Sequence, residues 1–419
     1  MTPPGTPSAP RARGKLLLVL SQVYPPDPAA VGQHLHDTAR EMVRRGWRVR
    51  VLTSARGYAD AARRYPAREM VDGVDVRRVA LGSLGKRNLG ARTAGGLLFL
   101  AQAFLRGLFG PRPAHLLVST SPPMAPLAGM LLARLRRAPY TFWLMDLNPD
   151  QAIATGAVSP RALTARLLER ANRAAARGAS AVVALDEFMA ARVRGRWRLD
   201  DRLAVLPPWP LEDHLAPVPH AENPFRTRHG LQGKRVVMYS GNLSPVHPVD
   251  TILQAARELR EEQRLVLVFI GEGGQRAAVE DAVRRDRLER VLLLPYQPLA
   301  DLRYSLSAAD AHLVSMGTDM VGIVHPCKVY GAMAVARPLL YLGPRRSHVG
   351  ELMARFELGW QVDHGDVAGA AAALREIVDA SEEALAARGD RARAALTAEL
   401  SQGRLLGSFC DLLEHGVAS

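Results

Sequence analysis

KLLLVLSQVYPPDPAAVGQHLHDTAREMVRRGWRVRVLTS, residues 15–54, decides the fold. It opens on a short apolar run that suits a strand buried on both faces, followed by a loop punctuated by Pro and Gly. A helical pattern then runs to Arg44-Arg45-Gly46, and WRVRVLTS reads as a second strand. The unit recurs as HLLVST (115–120), a helix to Arg137 and YTFWLM (140–145). It recurs again as a helix from about Pro160, ASAVVAL (179–185), a short helix and LAVLPP (203–208). Strands alternating with helices imply a mostly parallel sheet covered on both faces.

With 419 residues the chain exceeds what one core usually holds, so two domains of roughly 200 residues are expected. PPWPLEDHLAPVPHAENPFRT (207–227) carries six prolines and little periodicity, which marks a connection. After it come five more strand candidates, RVVMYS (235–240), LVLVFIG (265–271), VLLLP (291–295), AHLVSM (311–316) and PLLYLG (338–343), with helical patterns between them. The expected organisation is a disordered tail over 1–14, a doubly wound α/β domain over 15–207, a linker over 208–228 and a second such domain over 229–397. A helical segment, 398–419, then crosses back to the first domain. Ligand is expected between the carboxyl ends of strands near Leu20 and Ser240.

Charge is unevenly shared. Residues 1–207 hold 32 Lys plus Arg against 14 acids, whereas 208–419 hold 23 against 27. The basic first half suits an anionic partner such as nucleic acid, lipid headgroups or a phosphorylated substrate. Two cysteines, Cys327 and Cys410, give neither a disulfide framework nor a zinc-ligand spacing, and the N-terminus has no apolar signal core, so a reducing cytoplasm is expected. TAGGLLFLAQAFLRGLFG (93–110) is very apolar and flanked by Lys86, Arg87, Arg92 and Arg112. Its 13 uncharged residues from Thr93 to Leu105 are too few to span a bilayer, which leaves a buried packing helix or a helix lying in the membrane interface.

Three loops carry chemistry. In YSGNLSPVHPVDTILQA (239–255), Ser240, Gly241 and Asn242 leave a strand, and His247 stands before a helix with Asp250 near its start; Asp250 either caps that helix or borders an anion site. FIGEGGQRAAVE (269–280) half-resembles a dinucleotide fingerprint, but Arg276 stands where the third glycine belongs and no acid ends the next strand, which argues against NAD. GIVHPCKVYGAMAVARP (322–338) places Lys328 before a small-residue helical pattern. The chain has 51 Arg and four Lys, so an ammonium kept here suits a compact point charge facing an anion such as a diphosphate.

These loops, with LLPYQPLADLRYSLSAADAHLVSM (293–316), resemble the donor domain of family 4 glycosyltransferases of GT-B architecture, in the bacterial branch that builds lipopolysaccharide and exopolysaccharide. YPPDPAAVGQHLHDTAREMVRRGWRVRVLTS, TSPPM (120–124) and FWLMDLNPD (142–150) resemble the first domain of that branch. The resemblance implies transfer of a sugar from a nucleotide donor, UDP- or GDP-linked with UDP the first expectation, with retention and without a metal or other cofactor. It places Gly32 and Gln33 against the donor diphosphate, with Ser240, Gly241, Asn242, Gly271, Tyr296 and Gln297 on the donor side. His247 and Asn242 stand where the family keeps a lysine and an arginine, so Lys328 is the remaining strong cation, and Lys328 and His247 stabilise the departing diphosphate.

The chain departs from the pattern where the family keeps two glutamates eight apart: Gly331 stands at the second position. Glu351 is then the candidate for the ribose, or a dipole partner of its own helix. Asp146, which follows Met145 where many members have histidine, either orients the acceptor or caps its loop. A glycan or lipid-linked acceptor at the inner face of the plasma membrane would explain both the basic half and the apolar helix. The alternatives are an epimerase or phosphorylase on the same fold, or a basic nucleic-acid-binding module; no nucleic-acid motif is present to favour the last.

Overall fold

The structure, a computed structural model, describes residues 14–417 apart from 28, 58–61, 83–88 and 213. Residues 1–13 of the expected tail and the flanking Lys86 and Arg87 therefore lie outside the described residues. The first sheet holds β1 (Leu16–Leu20), β2 (Arg48–Ser54), β3 (Arg68–Val71), β4 (Val74–Val79), β5 (His115–Ser119), β6 (Tyr140–Trp143), β7 (Ala181–Ala184) and β8 (Leu203–Val205). Its helices are α1 (Ala30–Arg44), α2 (Leu89–Leu108), α3 (Ala125–Arg136), α4 (Asp150–Ala154), α5 (Leu163–Gly178) and α6 (Glu187–Trp197). The second sheet holds β9 (Arg235–Ser240), β10 (Leu265–Ile270), β11 (Val291–Leu294), β12 (Ala311–Ser315), β13 (Leu339–Leu342) and β14 (Gly359–Val362). With it go α7 (Pro224–Arg228), α8 (Asp250–Glu258), α9 (Arg276–Arg285), α10 (Leu302–Ser307), α11 (Lys328–Ala334), α12 (His348–Phe356) and α13 (Val367–Asp379); α14 (Glu382–Glu399) and α15 (Gln402–His415) close the chain.

Uninterrupted apolar runs become central strands because helices cover both faces: every residue of β1, β5, β10, β12 and β13 is buried. Strand order is β3-β4-β2-β1-β5-β6-β7-β8 in the first sheet and β11-β10-β9-β12-β13-β14 in the second. The order reverses beside β1 and beside β9, and a crevice at the carboxyl ends of these strands is the consequence. The loops after β6 and β12 meet there: Leu147 N–H donates to the Ile323 carbonyl at 3.0 Å. Two parallel α/β sheets facing a cleft are the GT-B architecture.

Two elements were absent from the sequence reading. The β3–β4 hairpin pairs antiparallel at the edge of the first sheet, through a turn in which Asp72 (φ 48°) and Gly73 (φ 82°) both take the left-handed conformation of a type I′ turn. Strand β14 forms an edge of the second sheet, beside β13.

The last helix, α15, lies against α1. Arg45 reaches Asp411 at 2.6 Å and Glu414 at 2.8 Å, and the Trp47 indole N–H donates to Glu414 at 2.8 Å. Phe409 packs against both Trp143 (4.4 Å between ring centroids) and Trp209 of the connecting segment (5.8 Å), which stack on each other at 5.6 Å. Phe409→Ala should therefore cost about 3–5 kcal/mol, through lost burial and the cavity left behind, read as a lowered denaturation midpoint in urea.

Candidate functional site

Two glycine-bearing loops and one ammonium form the second-domain side of the cleft. Gly241 follows β9 at φ 142° and Gly271 follows β10 at φ 141°, conformations that side chains with a Cβ rarely adopt. The chains also approach too closely for one: an ideal Cβ on Gly271 would lie 2.0 Å from the Gly241 carbonyl oxygen, and one on Gly241 would lie 2.5 Å from Lys328 Cε. The lysine stem thus lies across Gly241, and Nζ ends 5.3 Å from the Tyr239 ring centroid. No carboxylate among the described residues pairs with it. Burial pushes the ammonium down to about 8.

His247 is close to Lys328 but differs from its expected part. Its Nδ1–H donates to the Ser315 carbonyl at 2.7 Å, which leaves Nε2 as the lone-pair acceptor. Burial, then the Lys328 charge, hold the imidazole well below its ordinary value, so in the free protein it is neutral and adds no positive charge at pH 7. Asn242 is exposed, with its side chain over Gly273 and its carbonyl accepting from the Tyr239 hydroxyl at 2.7 Å. Ser240 ends β9 half-buried; Tyr296 is exposed above Gly271, its Cε1 3.4 Å from an ideal Cβ there; Gln297 is half-buried and donates to the Pro295 carbonyl at 2.8 Å. Arg276, the residue that spoils the dinucleotide fingerprint, braces the glycine loop from behind by donating to the Gly271 carbonyl at 2.6 Å and to Leu294 at 3.2 Å. Asp250 is the first residue of α8, and the N-cap position before it is held by Val249.

Across the cleft, Gly32 sits in the first turn of α1 because the turn packs on the loop after β1, where an ideal Cβ would come within 3.1 Å of Tyr24 Cα; Gln33 is its half-buried neighbour. Asp146 follows β6, with its N–H donating to Thr120 Oγ1 at 3.3 Å, and burial raises its carboxyl to about 6. The Cys327 thiol, pushed up to about 12 chiefly by burial, feels the charges of Lys328, Glu212 and Asp146 together, which brings residues from both domains and the connecting segment to one place. Glu351 differs: it is exposed on α12, and its N–H bond to the Ser347 carbonyl belongs to that helix's own first turn.

Sequence reasoning missed the clasp that holds the two sides in register. Asp186, at the start of α6, accepts from His325 Nδ1 at 2.9 Å; His325 Nε2 takes the Tyr330 hydroxyl at 2.8 Å, and His348 Nε2 lies 3.3 Å from that hydroxyl. Burial pushes the Asp186 carboxyl up, but the His325 hydrogen bond and charge and the Met189 N–H outweigh it and leave it below the ordinary value. Beside this clasp Gly322 abuts the next domain so closely that an ideal Cβ would lie 2.6 Å from the Phe188 carbonyl oxygen.

One acid cluster outside the cleft, His220, Asp310 and Glu382, has ligand-like spacing. Arg226 and Arg235 each reach Asp310 at 3.1 Å, and Arg235 also contacts Glu382, so guanidinium groups already neutralise it. It braces the amino ends of β9 and β12, at the edge of the sheet opposite the glycine loops.

Comparison with known proteins agrees with this geometry. Residues 29–209 match the Glycosyl transferase 4-like domain family, and residues 222–394 match the Glycosyl transferases group 1 family. The chain is 25% identical over 288 residues to the probable glycosyltransferase WbjE of Pseudomonas aeruginosa, covering 68% of this chain and 72% of that protein. It is 27% identical over 123 residues to WcaI of Escherichia coli (strain K12), assigned to colanic acid biosynthesis, covering 29% and 30%. In fold it resembles HepE of Anabaena, solved with UDP and glucose (TM-score 0.72, 16% identity, 96% and 99% covered). It also resembles WaaG, a glycosyltransferase involved in lipopolysaccharide biosynthesis (TM-score 0.70, 15% identity, 96% and 100% covered). With two glycosyltransferase families matched in tandem on paired parallel sheets, the chain belongs to the GT-B glycosyltransferases of the family 4 type.

Proposed function

We propose that this glycosyltransferase moves a sugar from a UDP-linked donor, with retention, to a lipid-linked glycan at the cytoplasmic face of a membrane, in the building of a surface polysaccharide. The observation that carries the reading is the Lys328 ammonium, which lies across Gly241 with no carboxylate partner among the described residues, beside a Cys327 thiol that also feels the charge of Asp146 from the other domain. As the bond between the anomeric carbon and the phosphate oxygen breaks, its electron pair passes to the diphosphate, and Lys328 meets the charge that develops. The acceptor hydroxyl attacks from the same face, and its proton passes to the leaving phosphate or to Asp146. His247 Nε2 is available to accept from a sugar hydroxyl. WcaI, named for colanic acid biosynthesis, and WaaG, named for lipopolysaccharide biosynthesis, support the polysaccharide setting, and UDP in HepE supports the choice of donor. The test is a panel of UDP- and GDP-sugars with and without a polyprenyl diphosphate-linked acceptor. Nucleotide release that requires the acceptor supports transfer; a donor altered without acceptor supports an epimerase, and one that requires phosphate a phosphorylase.

The surface supports the membrane part of the reading. Among the described residues no helix is long and apolar enough to cross a bilayer. Helices α2, α3 and α5 pack side by side on the first sheet, and they leave outward Leu97, Leu98 and Leu105 on α2, Leu131 and Leu135 on α3, and Leu163 and Leu167 on α5. Phe109, just past α2, is 82% exposed. Inward-facing Phe99 and Ala103 seat α2, so it is both a packing helix and an apolar surface. Exposed Arg106, Arg112, Arg134, Arg137, Arg166 and Arg170 border the leucines, and leucine with arginine suits an anionic bilayer interface better than a nucleic-acid backbone. Co-sedimentation with vesicles containing phosphatidylglycerol should exceed that with neutral vesicles and fall with salt, and Phe109→Ser with Leu105→Ser should weaken it at least threefold. Binding indifferent to lipid charge, salt and both substitutions would remove the membrane from the reading.

A further inference from the structure

The segment joining the domains carries a carboxylate that the reaction above leaves without a task. Glu212 is half-buried, and no Lys or Arg among the described residues pairs with it; the groups that face it are the N–H groups of Leu211 and of Glu212 itself, His214 and the Cys327 thiol. Burial pushes its carboxyl above the ordinary value. A carboxylate taken from water without a cation is costly, and the fold would avoid that cost with a neutral side chain.

Its placement is specific. An ideal Cβ on Gly331 would lie 3.8 Å from Glu212 Cδ and 3.9 Å from Cγ. The glutamate therefore fills the space that the absent side chain leaves on α11. Gly331 stands three residues after Lys328, so both lie on one face of the helix. The Cys327 thiol senses both charges, yet the ammonium and the carboxylate make no ion pair with each other. A cation and a bare carboxylate held apart in one cleft suit a ligand that carries an anion and, nearby, neutral hydrogen-bond donors. The two oxygens of one carboxylate accept from two neighbouring hydroxyls, and the vicinal diols adjoining a nucleotide-sugar diphosphate are those of the ribose and of the sugar.

We propose that Glu212 binds the ribose 2′,3′-diol of the donor, reaching in from the interdomain segment to the place where α11 offers a glycine. The inference rests on the transferase reading above. It moves the ribose contact from the exposed Glu351 to a residue that belongs to neither sheet, so that donor binding also pins the connection between the domains.

The test is titration calorimetry with UDP, GDP, ADP and CDP, each beside its 2′-deoxy form, on the full chain. The parent is expected to prefer the ribonucleotide it binds by at least about tenfold, as loss of a hydrogen bond to a charged group entails. Glu212→Gln should bind that ribonucleotide at least about tenfold more weakly and no longer distinguish the two forms. A second variant, Glu212→Ala with Gly331→Glu, returns a carboxylate to the same space; a Cβ at 331 meets nothing nearer than 3.5 Å, and the ribose preference should return. If Glu212→Gln discriminates as the parent does, or loses affinity for the nucleotide sugar but not for the free nucleotide, the ribose assignment is overturned. Failure of the paired variant to regain the preference overturns the placement over Gly331. If the parent binds none of the four ribonucleotides, the donor reading itself falls and this inference falls with it.

Discussion

Lys328→Met is expected to lower turnover by about 10² or more while leaving the fold as stable as the parent or more so. Both halves of that expectation come from the same geometry. The ammonium lies across Gly241 with no acid to pair with, so its burial is a cost to the native state. Its folded pKa, about 8, lies below the unfolded value, so the native state gives up the proton first as pH rises. The penalty is therefore fully present below about pH 8 and is relieved as pH climbs through that value toward the unfolded pKa. A methionine of similar length removes the penalty at every pH, and with it the charge that meets the departing diphosphate. Thermal melts across pH 6–10 should show the parent gaining on the variant above about pH 8, while steady-state assays show the loss in turnover at constant donor occupancy. Lys328→Arg should recover activity only in part, because a planar fork cannot follow the path over Gly241 that the narrow stem takes. A methionine variant that turns over at the parent rate would place Lys328 outside the reaction.

The rarity of lysine made this residue legible in the sequence, because a point charge kept among 51 arginines stands out. The parallel sheets were legible for a comparable reason: strands buried on both faces must be apolar without interruption, as LLLVL and LVLVFI are. The edges were not. Strand β3 is REMV, with two of its four residues exposed, and its alternation is too short to separate from a loop; the signal that was present is the Asp72-Gly73 pair. Strand β14 opens on Gly359 and alternates half-buried with buried residues, so it too lacks the continuous run of its neighbours.

Within the site, legibility followed sequence distance. The glycines announce close backbone approach wherever they stand, but what approaches them is set by the tertiary fold. His247 looked like a source of charge until the Ser315 carbonyl, 68 residues on, fixed its Nδ1 proton and burial kept it neutral. The Asp186–His325 clasp joins residues 139 apart, and each alone reads as an ordinary cap or core residue. Glu212 sits in a segment whose six prolines identify it as a connection, and nothing local ties it to Gly331. The sequence could show that α11 lacks a glutamate; that Glu212 lies beside the vacant position of Gly331 is set by the tertiary fold.

Asp146→Asn should lower turnover by about 10² and remove the acid limb of the pH profile. In the free protein Asp146 titrates at about 6 and Lys328 at about 8, both displaced by burial toward the neutral form. Proton acceptance requires Asp146 ionised, which holds above about pH 6; diphosphate stabilisation requires Lys328 protonated, which holds below about pH 8. The profile of kcat/KM is therefore expected to be a narrow bell between these values. Donor binding places phosphate beside the ammonium and raises its pKa, so the alkaline limb of kcat should lie higher than that of kcat/KM, whereas the acid limb, set across the cleft, moves less. Asp146→Asn should flatten the acid side alone, and Lys328→Arg the alkaline side alone. Stability supplies a control with the opposite sign to the lysine. A carboxyl raised above its unfolded value is penalised once ionised, so the parent loses stability as pH rises through about 4 to 6, and the asparagine variant does not. An asparagine variant that melts as expected yet keeps the acid limb would take Asp146 out of the reaction and pass the proton to the leaving phosphate itself.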